Sequence, residues 1–231
     1  MTFKQLLSGL VLSSSVALAP AAFAQDEPAA DYLVMEPNAQ VVFITTGGAE
    51  VRADWTEAAK TNLRNGFDSQ VGERGHDTTR FDESADRSEE LEQLLLLYEV
   101  VSQSADLRMP HKGGEMRSNH DITLGASASL LSEAYDTDYA IFIDHYSQIE
   151  SGGVFMTQVL VGAATGVSIP SQNIRLTAGT VVDLETGDIV DRRAVFMGDP
   201  RDVDESANIV RRIMNDLALS EAELAEMAAA E

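Results

Sequence analysis

The chain has 231 residues, with 38 acidic against 16 basic side chains, no cysteine, 44% hydrophobic residues and 6% aromatics. Without a thiol there is no disulfide-stapled miniprotein and no cysteine-ligated zinc site, and an apolar share near half excludes disorder along the whole length. A formal charge of −22 argues against nucleic acid, whose phosphates attract Lys and Arg and repel carboxylates.

The first residues have the layout of a secretory signal. Lys4 supplies the positive start, Leu6 to Leu18 is a mostly apolar run, Pro20 breaks it, and Ala22-Phe23-Ala24 offers small residues where a signal peptidase reads. Cleavage is expected after Ala24, before Gln25. The run is shorter than the ~20 residues of a membrane span, and no cysteine follows it to carry a lipid. No later segment approaches a span, so the expected product is a soluble periplasmic protein with no transmembrane segment in the mature chain.

Along the mature chain, residues 25–38 are small, acidic and proline-containing and read as a flexible leader. Gln40 to Thr45 (QVVFIT) is a β-branched run closed by Gly47-Gly48, a strand and a turn. Asp54 and Glu57 stand in the spacing of a capping box, and Trp55, Ala58, Ala59, Leu63 and Phe67 follow at helical spacing, predicting a helix over 55–70. Gly72 to Arg87 is charged and reads as a loop. Ser88 caps a second helix with an apolar stripe of Leu91, Leu94, Leu95, Tyr98 and Val101. Residues 109–120 are irregular, and a third helix is expected over 122–135, capped by Asp121.

Tyr139 to Ser147 (YAIFIDHYS) reads as a strand leaving the core. Val154 to Thr165 is apolar on nearly every side, and periodicity does not decide between helix and strand. Ile174–Leu184 and Asp188–Phe196 flank Glu185-Thr186-Gly187-Asp188, predicting a β-hairpin. A last helix begins at Asp204 or Ser206 and carries Ile209, Ile213 and Leu217, with Val210 and Met214 beside them. The chain shows no internal repeat and no clear linker. The expected organisation is a signal peptide at 1–24, the leader at 25–38, one domain at 39–219 and an acidic helical or frayed tail at 220–231.

From the Asp138-Tyr139 strand through Ser151-Gly152-Gly153, Gly166-Val167-Ser168-Ile169-Pro170 and the hairpin phrase Val182 to Val190, the chain resembles a family of uncharacterised proteobacterial exported proteins. That family is similar to the periplasmic domains of CsgG-type envelope proteins and of the amino-terminal part of TolB. The resemblance covers mainly residues 139–217. It implies a compact α/β domain of the cell envelope with helices against a mixed sheet; together with the predicted elements, the expected fold is α/β (α+β), a single compact domain with a mixed sheet, a C-terminal β-hairpin and about five packed helices. It favours a helix for 154–165 and carries over no catalytic residue. The chain departs from the family pattern at Asp191, where a tryptophan often stands, and in lacking a lipid anchor.

Reactive groups are sparse. His76, His111, His120 and His145 have no HExxH spacing, and His111 and His120 read as loop residues around Glu115. His145 beside Asp144 is the best single catalytic candidate, but neighbours on a strand point to opposite faces. The acids Asp77, Asp82, Glu83 and Asp86, and then Asp199, Asp202, Asp204 and Glu205, lack the alternate oxygens and central glycine of a calcium loop. The second group suits a helix cap and its positive end. Around Ser168 a proline replaces the second glycine of a nucleophile elbow, and Gly47-Gly48 lacks the sequence of a phosphate loop.

The reading is therefore a noncatalytic periplasmic envelope protein, acting on an envelope protein partner or as a homo-oligomer. It assigns no catalytic, cofactor-binding or metal residue and no cofactor, and it expects a sheet edge or apolar groove to stand open. The alternative is a small-molecule or cation carrier, which calls for a closed pocket. A hydrolase using His145 or a His/carboxylate metal site ranks below both and requires two histidines within about 5 Å of each other.

Overall fold

A computed structural model describes residues 31–85, 88–108, 122–217 and 219. The signal, the irregular segment at 109–120 with His111 and His120, Asp86, Asp121 and the tail from 220 lie outside the described residues.

The sheet is organised around one long strand. Strands β1 (Asp31–Val34) and β2 (Asn38–Thr45) are separated by Met35-Glu36-Pro37; β3 (Gly48–Val51) and β4 (Asp77–Arg80) are short; β5 (Tyr139–Glu150), β6 (Ile174–Asp183) and β7 (Ile189–Val195) form the carboxy-terminal half. Along one side of β5, β1 and β2 lie end to end, both parallel to it: Leu33 pairs Ala140 and Asn38 pairs Asp144. Outside that row, β4 runs parallel to β1 and β3 antiparallel to β2. On the other side of β5, β6 and then β7 follow antiparallel. The result is a seven-stranded mixed sheet.

Helices cover both faces, because the buried strands carry apolar side chains in both directions. Helices α1 (Ala53–Glu73) and α5 (Val203–Asp216) lie on one face, where Leu63, Phe67 and Val71 meet Ile209, Ile213 and Met214 over Ile141, Ile143 and Val181. Close approach requires glycine here: a Cβ at Gly66 would come within 2.9 Å of Val210, and one at Gly179 within 3.0 Å of the Phe67 ring. On the other face, α2 (Glu89–Arg108), a 3-10 turn at Gly125–Ala128 and α3 (Ser129–Tyr135) cover Leu33, Phe142, Val182 and Ile189. Each large apolar side chain removed from water contributes about 1.5–3 kcal/mol, so these two layers account for one compact α+β domain. Helix α4 (Gly152–Thr165) belongs to neither layer.

Several expectations are corrected. The end of the flexible leader is strand β1, with Tyr32, Leu33 and Val34 fully buried; the Tyr32 hydroxyl donates to the carbonyl of Leu219, tying the start of the domain to its end. The loop expected over 72–87 contains β4, whose side chains are all exposed and so give no apolar signal. Asp54 is not a cap: Arg52 holds that position without a side-chain bond, and Asp54 pairs with the Arg52 guanidinium at 2.8 Å. The helix expected over 122–135 starts later, because Thr123 bridges to Asp188 and Leu124 N–H donates to Gly187. The last helix begins at Val203, one residue before the earlier of its two expected starts, capped by Asp202, whose carboxylate accepts from Glu205 N–H.

The hairpin forms as predicted, with Gly187 at φ +80° in its turn. Ser88 caps α2 through Leu91 N–H at 3.2 Å. The segment from Val154 to Thr165 is helical.

Candidate functional site

Two places in the fold are chemically unusual, and neither coincides with a histidine. The first is built by α4. Ser151 caps it, accepting from Val154 N–H at 3.3 Å, and Gly166 ends it in the left-handed conformation at φ +72°. One side chain, Glu150, ties the middle of the helix to the segment that follows it. Its carboxylate accepts from Gln172 N–H at 2.9 Å, Gln158 Nε2 at 2.8 Å and Ser171 Oγ at 3.0 Å. These bonds, led by the one from the Gln172 backbone, hold the carboxyl below the usual carboxylate range. The return segment 166–171 runs back beside the helix and leaves a groove of about 500 Å³, lined by Phe155, Val159, Gly162, Val167 and Ile169.

Apolar helices of soluble proteins ordinarily bury their apolar side chains, yet none of α4's residues is buried. Phe155, Met156, Val159, Leu160 and Val161 are 41–63% exposed. From Ser151 to Ile174 the chain carries no charged side chain. Ile174 opens β6, and the exposed Phe196 and Met197 follow Val195, which pairs with Thr177 near that same end. This end of the sheet therefore carries a continuous uncharged and largely apolar segment in a chain of charge −22, with Glu150 and the Arg175–Asp199 pair beside it.

The second place is a polar cluster between α2 and the sheet. Arg192 is essentially inaccessible, with its side chain 1% exposed. Its Nη1 donates to Asp144 Oδ2 at 3.0 Å, to Tyr98 Oη at 3.3 Å and to Thr180 Oγ1. The Tyr98 hydroxyl donates to Asp144 at 2.7 Å and lies 3.1 Å from Thr180 Oγ1, while its ring stacks on Phe142 at 3.8 Å. Burial, with the Asp144 charge beside it, pushes the Tyr98 hydroxyl well above its ordinary range. Each member satisfies another. The arrangement neutralises a buried cation and bolts α2 to β5, β6 and β7; it presents no activated nucleophile.

The structure separates the other residues singled out from the sequence. Asp144 faces α2, whereas His145 faces the opposite layer. There its Nδ1 lies 2.8 Å from Thr177 Oγ1, and its Nε2 is buried without a partner. Burial pushes this imidazole down to about 4, Asp199 opposing and Arg175 adding to the shift. His76 packs edge-on against Tyr32 at 5.1 Å. Tyr32 pairs with Tyr139, six residues from His145 along β5, so the two imidazoles sit near places about 20 Å apart.

Of the acids from 199 to 205, Asp202 caps α5, Glu205 accepts from Asp199 N–H, and Asp199 holds Arg201 and lies 3.9 Å from Arg175. Asp82 accepts from Ser84 within its own turn. Among the described residues no group of three or more His, Asp or Glu side chains is arranged to hold a metal ion, and no helix is long and apolar enough to cross a membrane.

No family model matches the chain, and no curated protein matches it. Solved bacterial structures do. A PelC dodecamer from Paraburkholderia phytofirmans is 7% identical, over 80% of this chain and 85% of that one, with a TM-score of 0.34. A protein described as a neuraminyllactose-binding hemagglutinin homologue from Helicobacter pylori is 8% identical, over 87% and 91%, with a TM-score of 0.37. Lipoprotein GNA1162 from Neisseria meningitidis is 11% identical, over 82% and 99%, with a TM-score of 0.31. These likenesses are too distant to assign a role, so the functional reading rests on the geometry.

Proposed function

We propose that this chain is a noncatalytic scaffold of the periplasmic envelope that assembles with copies of itself through the α4 pole. The carrying observation is an apolar helix, tied through Glu150 to the segment that follows it, with none of its side chains buried. Contiguous exposed apolar surface of this kind marks an interaction site in soluble proteins.

The occupant follows from charge. Two copies of charge −22 repel wherever their carboxylates meet, and the stretch from Ser151 to Ile174 is where they approach without bringing carboxylates together. A two-fold contact places the same patch on both partners, so α4 and its groove supply both halves. The secretory layout of residues 1–24 supports the compartment.

The absence of cysteine gives a clean test. A Leu160→Cys variant of the mature chain should form a covalent dimer under mild oxidation. Glu185→Cys, in the hairpin turn at the far end of β6, should remain monomeric. Equal cross-linking at both positions, or none at 160, would refute assembly through α4.

A further inference from the structure

The break between β1 and β2 opens a cleft that the scaffold role does not use and that shares Tyr98 and Phe142 with the polar cluster. The ladder pairs Ile141 with Val34 and then Asp144 with Asn38, so Phe142 and Ile143 stand opposite Met35-Glu36-Pro37. Here a cavity of about 420 Å³ opens between α2 and the sheet, with Lys60 of α1 at its edge. Ligand sites commonly have this size, apolar walls and a few polar groups.

Its floor consists of core side chains: Met35, Phe81, Tyr98 and Phe142 are each at most 6% exposed, and Leu95 is half-buried beside them. Among the described residues its rim carries Glu36, Glu83, Glu92 and Glu99 against Lys60. Glu36 is engaged by Arg64. Glu92 and Glu99 stand one above the other on α2, two turns apart. The mouth is therefore negative over an apolar and aromatic floor, and the charge of the whole chain reinforces that sign.

We infer that this cleft binds a small organic cation with an apolar or aromatic body: the body packs on Phe81, Phe142 and Met35, and the ammonium lies at the Glu92–Glu99 rim. Aromatic faces add attraction for such a cation, whereas a carboxylate of the same shape meets like charge. The inference does not depend on assembly, because the cleft is separate from the α4 pole and lined by none of its residues.

The test is isothermal titration of the full mature chain with 2-phenylethylamine, 2-phenylethanol and 3-phenylpropanoate at low salt. The amine should bind, the alcohol more weakly, and the acid not measurably. Glu92 and Glu99 are exposed, so their substitution leaves the fold intact. Glu99→Gln should raise the Kd for the amine about threefold and Lys60→Met lower it about threefold, with the alcohol unchanged in both; one rim charge is worth this much at a solvated site. Methyl resonances of Met35 should shift with amine concentration. Failure of the amine to bind, equal binding of all three probes, or amine binding indifferent to Glu99 and Lys60 would overturn the inference. Loss of cross-linking at residue 160 would leave it standing.

Discussion

His145→Gln offers a quantitative test of the packing between β5 and the α5 layer. In the folded chain burial holds the imidazole neutral with a pKa of about 4, against 6.5 when exposed. Because the folded value is depressed, the associated stability is present above pH 6.5 and is lost as pH falls towards 4. The full difference corresponds to about 3 kcal/mol, and between pH 7.5 and 5.0 about 2 kcal/mol of it is lost. Glutamine keeps a polar group near Thr177 but does not titrate.

Urea unfolding can be followed through Trp55, the single tryptophan, which is held between the Arg52 and Arg201 guanidinium groups at 4.4 and 4.1 Å. Asp199 and the other carboxylates titrate in both proteins, so the difference between them isolates residue 145. The wild type should lose about 2 kcal/mol more than the variant across this interval. Identical pH dependence in the two proteins would refute a buried, neutral His145.

Other perturbations address the remaining contacts. Gly179→Ala should destabilise by about 1–3 kcal/mol, because its methyl would meet the Phe67 ring at 3.0 Å and Ile213 at 3.1 Å; thermal melting reads this directly. Arg192→Met leaves the half-buried Asp144 beside Tyr98 without its cation and should cost about 1.5–3 kcal/mol, with Arg192→Met/Asp144→Asn recovering part of the loss in denaturant titration. Glu150→Ala removes the three bonds that fasten α4 and its return segment. Amide exchange should accelerate over residues 152–172 while the β5–β6 ladder keeps its protection.

What the sequence made legible follows from how local each signal is. The hairpin around Glu185–Asp188, the apolar stripe of α2 and the buried face of α5 are patterns within one element, and each forms as expected. Strand β1 was hidden because both its faces are buried, which erases the alternation that marks a strand. Strand β4, Asp77–Arg80, was hidden for the opposite reason, since all its residues are exposed and its place is set by parallel pairing with distant β1.

The unusual sites were less legible still. The apolar character of 154–165 was plain, but whether a partner layer covers it is a tertiary fact. The cluster of Tyr98, Asp144, Thr180 and Arg192 joins four elements and has no motif. Its only trace is polar residues inside otherwise apolar strands: Asp144 in YAIFIDHYS and Arg192 in IVDRRAV.

The central claim is that α4 is covered by another copy of the chain. Leu160 is 63% exposed, and covering the remainder of a leucine side chain contributes about 1.3 kcal/mol per copy. A two-fold contact loses this twice in Leu160→Gln, weakening association about 80-fold. Sedimentation velocity of the mature wild type and of Leu160→Gln over a range of concentrations measures this directly. The account predicts that the wild type sediments as a concentration-dependent assembly and that the variant, with an unchanged melting temperature, shifts to the monomer; a wild type that remains monomeric throughout, or a variant that assembles equally well, would contradict it.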